Sequence, residues 1–135
     1  MVLVRDLKAV GIESRKALAI GDTVGYYSAA GTTGSDSTPT SDSIIWVNGS
    51  SGANAGVSLP SLDASNNKRH LVLNDTAGNI RVYVKHDSGD LLKVFGGGSS
   101  GTAGDPYLVI PAGEWYEIVK MDSASSNDPI WVALT

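Results

Sequence analysis

Ile80-Arg81-Val82-Tyr83-Val84-Lys85 lies between Ala77-Gly78-Asn79 and Asp87-Ser88-Gly89-Asp90, and its reading decides the fold. Ile80, Val82 and Val84 fall on one side of an extended chain, and Arg81, Tyr83 and Lys85 fall on the other, because successive side chains of a strand alternate. The flanking Gly, Asn and Asp are turn formers. A strand held between two turns is therefore the local unit. Upstream, His70-Leu71-Val72-Leu73 ends at Asn74-Asp75, Val57-Ser58-Leu59 ends at Pro60, and Ile44-Ile45-Trp46-Val47 ends at the hairpin pair Asn48-Gly49. Downstream, Leu91 to Phe95 runs into Gly96-Gly97-Gly98-Ser99-Ser100-Gly101, and Tyr107-Leu108-Val109-Ile110 stops at Pro111-Ala112-Gly113. Trp115 to Lys120 and Ile130 to Leu134 close the series.

Turn signals this frequent predict about seven or eight short strands, and sustained 3.6-residue periodicity is missing. The expected fold class is all-β: an antiparallel β-sandwich or jelly-roll-like barrel with an N-terminal arm. Nothing in the sequence supplies the crossover helices that link parallel strands, and no internal repeat marks a propeller or solenoid. The one helix candidate runs from Ile12 to about Leu18, where Ala17-Leu18-Ala19-Ile20 reads equally as a strand. Residues 28–43 hold almost no large apolar side chain, which predicts an exposed loop or mobile link. On this reading, residues 1–43 form an N-terminal arm and polar connector, and residues 44–135 form the sandwich body of a single compact domain.

The chain has 135 residues and no cysteine, so disulfides, thiolate nucleophiles and Cys-based metal sites are excluded. No apolar run approaches the ~18 residues a membrane-spanning helix needs. The opening residues, broken by charges, do not read as a secretory signal, so synthesis in the cytoplasm is expected. A net charge of −4 argues against nucleic acid as the main partner. The charge is unevenly spread. Residues 1–20 carry Arg5, Lys8, Arg15 and Lys16 against Asp6 and Glu13, whereas residues 21–67 carry Asp22, Asp36, Asp42 and Asp63 with no base. A slightly basic arm on an acidic body suits docking on an acidic protein surface.

Candidate chemistry is sparse. His70 and His86 are the only histidines, and neither belongs to an HExxH zinc motif. No serine sits in a GxSxG elbow. His86-Asp87-Ser88-Gly89-Asp90 places two carboxylates around a glycine turn but is followed by none of the ligands that complete a calcium loop. The glycine-rich stretch at residues 96–101 is neither a phosphate loop nor a dinucleotide fingerprint. The expectation is a protein that is not an enzyme, with no catalytic residue, cofactor or metal. Trp46, Trp115 and Trp131 lie inside apolar runs, so core packing is their expected role. Tyr26 and Tyr27 precede the polar connector and are candidates for an exposed interface or a sugar platform.

From Val57 to Leu134 the order of pieces resembles tailed-bacteriophage virion proteins of the capsid decoration (cement) and head-fibre type. The matching residues are Val57-Ser58-Leu59-Pro60, Asn74-Asp75-Thr76-Ala77-Gly78-Asn79, Ile80-Arg81-Val82-Tyr83-Val84, Ser88-Gly89-Asp90, the glycine-rich loop, Leu108-Val109-Ile110-Pro111-Ala112-Gly113-Glu114, and the final Ile130-Trp131-Val132. One departure is Asn127-Asp128-Pro129, which stands where such sequences reach the last Trp through a Gly-containing turn.

The resemblance implies a structural virion protein that binds the outer surface of a phage capsid and stabilises it. Its partner would be the major capsid protein, its state a homotrimer and its location the virion. No nucleic acid or membrane partner and no catalytic residue are implied. The partner-binding candidates are Val2, Leu3, Val4, Arg5, Leu7, Lys8, Arg15, Lys16, Tyr26 and Tyr27. The apolar members of the arm, with Val10, either cross to a neighbouring subunit or add a strand to their own domain. The competing function is a phage tail or fibre-associated receptor- or glycan-binding module.

Overall fold

A computed structural model describes residues 23–62, 69–86, 88, 90–94, 100–102, 105–122 and 129–134. Eleven strands occur among them: β1 (Val24–Ala29), β2 (Thr38–Pro39), β3 (Ile44–Ser50), β4 (Gly56–Ser58), β5 (Arg69–Asn74), β6 (Ile80–Tyr83), β7 (Leu92–Val94), β8 (Ser100–Thr102), β9 (Asp105–Ile110), β10 (Trp115–Asp122) and β11 (Pro129–Leu134). They form two mixed sheets. The first has the order β1-β3-β5-β10-β11-β7, and the second β2-β4-β6-β9-β8. No helix is found among the described residues, and none there is long and apolar enough to cross a membrane. The helix candidate at Ile12 to Leu18 lies outside them.

All-β architecture agrees with the sequence reading. The expectation of purely antiparallel pairing does not hold. β1, β3 and β5 run parallel in the first sheet, β2, β4 and β6 run parallel in the second, and β7 runs parallel to β11. The all-antiparallel ladder on which the jelly-roll reading rested is therefore absent from this half. A parallel pair needs a long crossover, for which a helix is the usual solution. Here the crossover is itself a strand of the opposite sheet. The chain alternates between sheets from β1 to β6, so it winds through three coils and each coil lays one strand on each sheet. Antiparallel strands then close the stack: β9 on β6, β10 on β5, and β11 on β10.

The two sheets enclose one core. Ile45, Val47, Val72, Ile118, Trp131 and Ala133 of the first sheet meet Val57, Ile80, Val82, Leu108 and Ile110 of the second. Of the three tryptophans, only Trp131 takes the expected core position; Trp46 and Trp115 are half-buried.

The polar connector is also different from its expectation. Ser28 to Ser43 contributes to β1, contains β2, and folds its loop at residues 31–37 onto the second sheet. Asp36 accepts from the Thr32 and Thr33 amides and the Thr33 hydroxyl. The Gly34 amide donates to both oxygens of Asp105, at 2.9 and 3.1 Å. The buried Tyr83 hydroxyl donates to the Thr32 carbonyl at 2.8 Å. Hydroxyl and carboxylate groups hold this segment in place of apolar burial, which is why its composition looked like that of a mobile link.

Candidate functional site

The first sheet brings Tyr26, Trp46, Leu73 and Trp115 into one register row across β1, β3, β5 and β10. Alternation along each strand turns this row away from the enclosed core. At its β1 end the Tyr26 and Trp46 rings lie 5.5 Å apart, tilted by 39°. The Trp46 indole nitrogen donates to Asp75 at 3.0 Å, and the Asp75 amide donates to the Val47 carbonyl at 2.8 Å. The turn after β5 therefore fixes the indole, the indole supports the tyrosine, and the tyrosine presents its ring to solvent with 58% exposure.

The β3–β4 and β5–β6 turns, the second carrying Asp75, form an open cleft of about 640 Å³. Asn48, Ser50, Asn54, Asp75, Thr76 and Asn79 supply its polar wall. The cleft is anchored from below by Asn74, which is buried at the end of β5. Its side-chain nitrogen donates to the Gly78 and Ile110 carbonyls, both at 2.8 Å. Its side-chain oxygen accepts from the Thr76 amide and hydroxyl. Asn74 thus holds a turn of one sheet against a strand of the other, and its burial makes the Asn74-Asp75-Thr76 pattern a structural turn.

The two tyrosines proposed together as binding residues separate. Tyr27 points to the opposite face of β1, is half-buried, and donates to the Asp42 carboxylate at 2.5 Å. Burial pushes its pKa above the ordinary phenol value, and the neighbouring Asp42 adds to the shift. Gly25 makes room for this contact, since a Cβ there would stand 1.9 Å from an Asp42 oxygen. Tyr27 is a strap between β1 and the segment before β3, whereas Tyr26 is free to meet a partner. Val2, Leu3, Val4, Arg5, Leu7, Lys8, Arg15 and Lys16 lie outside the described residues. Trp46 and Asp75 were not among the sequence candidates. Their association depends on the parallel register of β1, β3 and β5, which no local pattern in the sequence reports.

His70 is buried, with Nδ1 2.7 Å from the Asp42 carbonyl oxygen and its ring edge-on to Trp131 at 5.3 Å. Burial lowers its pKa below the ordinary imidazole value, and the Asp42 carbonyl and charge oppose that shift only in part. The folded chain therefore binds a proton at His70 less readily than the unfolded chain does. The resulting stability is fully present above the unfolded pKa, roughly 6.5, and is lost as pH falls below it. His70→Gln is expected to flatten the fall in the urea midpoint between about pH 6.5 and 5; parallel pH profiles for the two proteins would refute this. His86 is exposed. Asp90 accepts from the Leu62 amide at 2.9 Å and so fastens a turn. Among the described residues no three His, Asp or Glu side chains gather as metal ligands.

Comparison with known proteins found no matching family model, no matching curated protein and no matching solved structure.

Proposed function

We propose that the protein is a non-catalytic virion module, a sandwich-type decoration protein that binds the outer surface of a phage capsid as a trimer and stabilises it. It is made in the host cytoplasm and acts on the virion. The observation that carries this reading is the Tyr26–Trp46–Asp75 arrangement, an exposed aromatic backed by a second ring and a fixed hydrogen bond on a sheet. Interfaces draw most of their binding energy from a few aromatic anchors held rigid before contact, because little side-chain entropy is then lost on binding. The stretch from Val57 to Leu134 is also the part of the chain that resembles virion proteins.

The test is co-sedimentation with mature phage capsids, after light scattering has fixed the mass of the free protein. A trimer should pellet with capsids saturably, and Tyr26→Ala should weaken binding by at least about 30-fold, the effect of losing roughly 2 kcal/mol at an anchor. A monomer that stays in the supernatant would overturn the proposal. Equal binding by Tyr26→Ala would remove the aromatic pair from it.

A second reading, a receptor- or glycan-binding module of a tail or fibre, is favoured by the open cleft whose wall includes Asp75. Amide and carboxylate groups of Asn48, Asn54, Asp75 and Asn79 suit a ligand with many hydroxyls. A glycan array and host-cell binding test it directly, and silence in both would reject it.

A further inference from the structure

Asn48-Gly49 lies inside β3 and not in a hairpin loop, at a point where both neighbouring ladders release the chain. On one side Tyr27 pairs with Val47 and Ser28 with Gly49, so Asn48 is the extra residue of a bulge and has no partner on β1. On the other side the pairing with β5 ends at Val47 and Asn74. Asn48 is exposed, and its side-chain amide makes no hydrogen bond among the described residues. The residue that follows it has no Cβ to shield its peptide nitrogen.

An asparagine is attacked by its own chain when the next peptide nitrogen reaches its Cγ and closes a five-membered ring. The other described asparagines are poorly placed for this. Asn74 is buried and held by four hydrogen bonds, to the Gly78 and Ile110 carbonyls and from the Thr76 amide and hydroxyl. Asn54 precedes Ala55, whose amide already donates to the Gly52 carbonyl at 3.3 Å. Asn79 precedes Ile80, which is branched at Cβ and buried.

We propose that Asn48 is a self-modification site, at which the folded chain converts a side-chain amide into a carboxylate on the wall of the cleft. The Gly49 peptide nitrogen loses its proton to hydroxide and attacks Cγ of Asn48. The new N–Cγ bond forms, the Cγ–Nδ2 bond breaks, and ammonia leaves. Water then adds to one of the two carbonyls of the ring. Opening on one side gives aspartate, and opening on the other gives isoaspartate, whose main chain runs through the side-chain carbon. The balance is one water consumed and one ammonia released, with no change of oxidation state. Either product adds a negative charge to a wall that already includes Asp75. Isoaspartate also lengthens the main chain by one carbon. That carbon enters between Val47, whose carbonyl accepts from the Asp75 amide, and Ser51, whose amide donates to the Ala29 carbonyl. The seam between β1 and β3 would loosen there. The inference stands apart from both capsid and glycan binding.

The test holds the intact, folded protein at mildly alkaline pH, which favours loss of the amide proton, and follows each asparagine by peptide mapping with fragmentation. Asn48 should show the mass change from amide to acid and divide into two chromatographic forms, at least about tenfold faster than Asn54, Asn74 or Asn79. Its rate in the folded chain should lie within about tenfold of its rate in urea, because no ladder has to open first. Gly49→Ala should slow the reaction at least about tenfold by adding a Cβ next to the attacking nitrogen. The substitution is mild, since Gly49 has no left-handed backbone and the nearest atom to the new methyl is the movable Ser28 hydroxyl oxygen at 3.0 Å. Equal rates at Asn48 and the other three asparagines would overturn the proposal. So would a greater suppression by folding, or a rate unchanged by Gly49→Ala.

Discussion

Trp131→Ala is expected to destabilise the protein by about 3–5 kcal/mol, a large part of the ~5–15 kcal/mol typical of a domain. Trp131 is the largest side chain in the core and has no exposed surface. It lies on β11, beside β10 on one edge and β7 on the other, and its ring packs against His70. Its removal opens a cavity where two strand pairings and the contact between the sheets coincide. The indole nitrogen is buried without a hydrogen-bond partner, so the residue contributes by volume and not by polarity. Trp131→Phe should therefore retain most of the stability, because it removes a donor that bonds nothing. Thermal unfolding should separate the two variants, with a fall on the order of 10–15 °C for alanine. Similar losses for both would mean that the indole N–H matters after all.

Asn74→Ala should cost about 2–3 kcal/mol, more than a surface polar substitution, because it strands buried partners on both sheets. The Ile110 and Gly78 carbonyls lose their donor, and the Thr76 amide and hydroxyl lose their acceptor. Asn74→Asp should be no milder at neutral pH. It keeps the acceptor for Thr76 but sets a carboxylate against two carbonyl oxygens. Urea unfolding measures both, and a change under about 0.5 kcal/mol would show that water replaces the lost bonds. Both variants should also loosen the cleft, since Asn74 fixes the turn that carries Asp75 and Thr76.

Much of the strand content was legible. The runs at Ile44, His70, Ile80, Tyr107, Trp115 and Ile130 all became strands, because alternation and turn residues act locally. β1, β2 and β8 were not read, and β8 begins inside the glycine-rich stretch at residues 96–101. Val24-Gly25-Tyr26-Tyr27-Ser28-Ala29 mixes glycine and polar groups, and Thr38-Pro39 contains a residue usually confined to sheet edges. Both strands stand at the edge of their sheets, where pairing on one side suffices.

Strand direction was missed although a signal existed. Ile44-Ile45-Trp46-Val47 and His70-Leu71-Val72-Leu73 are apolar on both faces, the habit of strands covered on both sides and common in parallel sheets. The coils escaped notice because their spacing is unequal: Val24, Ile44 and Leu71 share one register row without a fixed period. Of the aromatic site, Tyr26 was read as a candidate. Its partners Trp46 and Asp75 depend on that register and could not be.

The placement of β5 between β3 and β10 also governs the order of events during synthesis. The coils from β1 to β6 emerge from the ribosome first, yet β5 cannot complete its ladder until β10 is made, and Trp131 arrives only with the last strand. Pairings so distant along the chain close slowly, since loop entropy is lost before contacts reward it. A nascent chain stalled short of β10 would display Leu71 and Leu73 beside an unpaired edge, a template for association with other chains. β10 and β11 thus act as the latch of the first sheet, which stays open until both have been made.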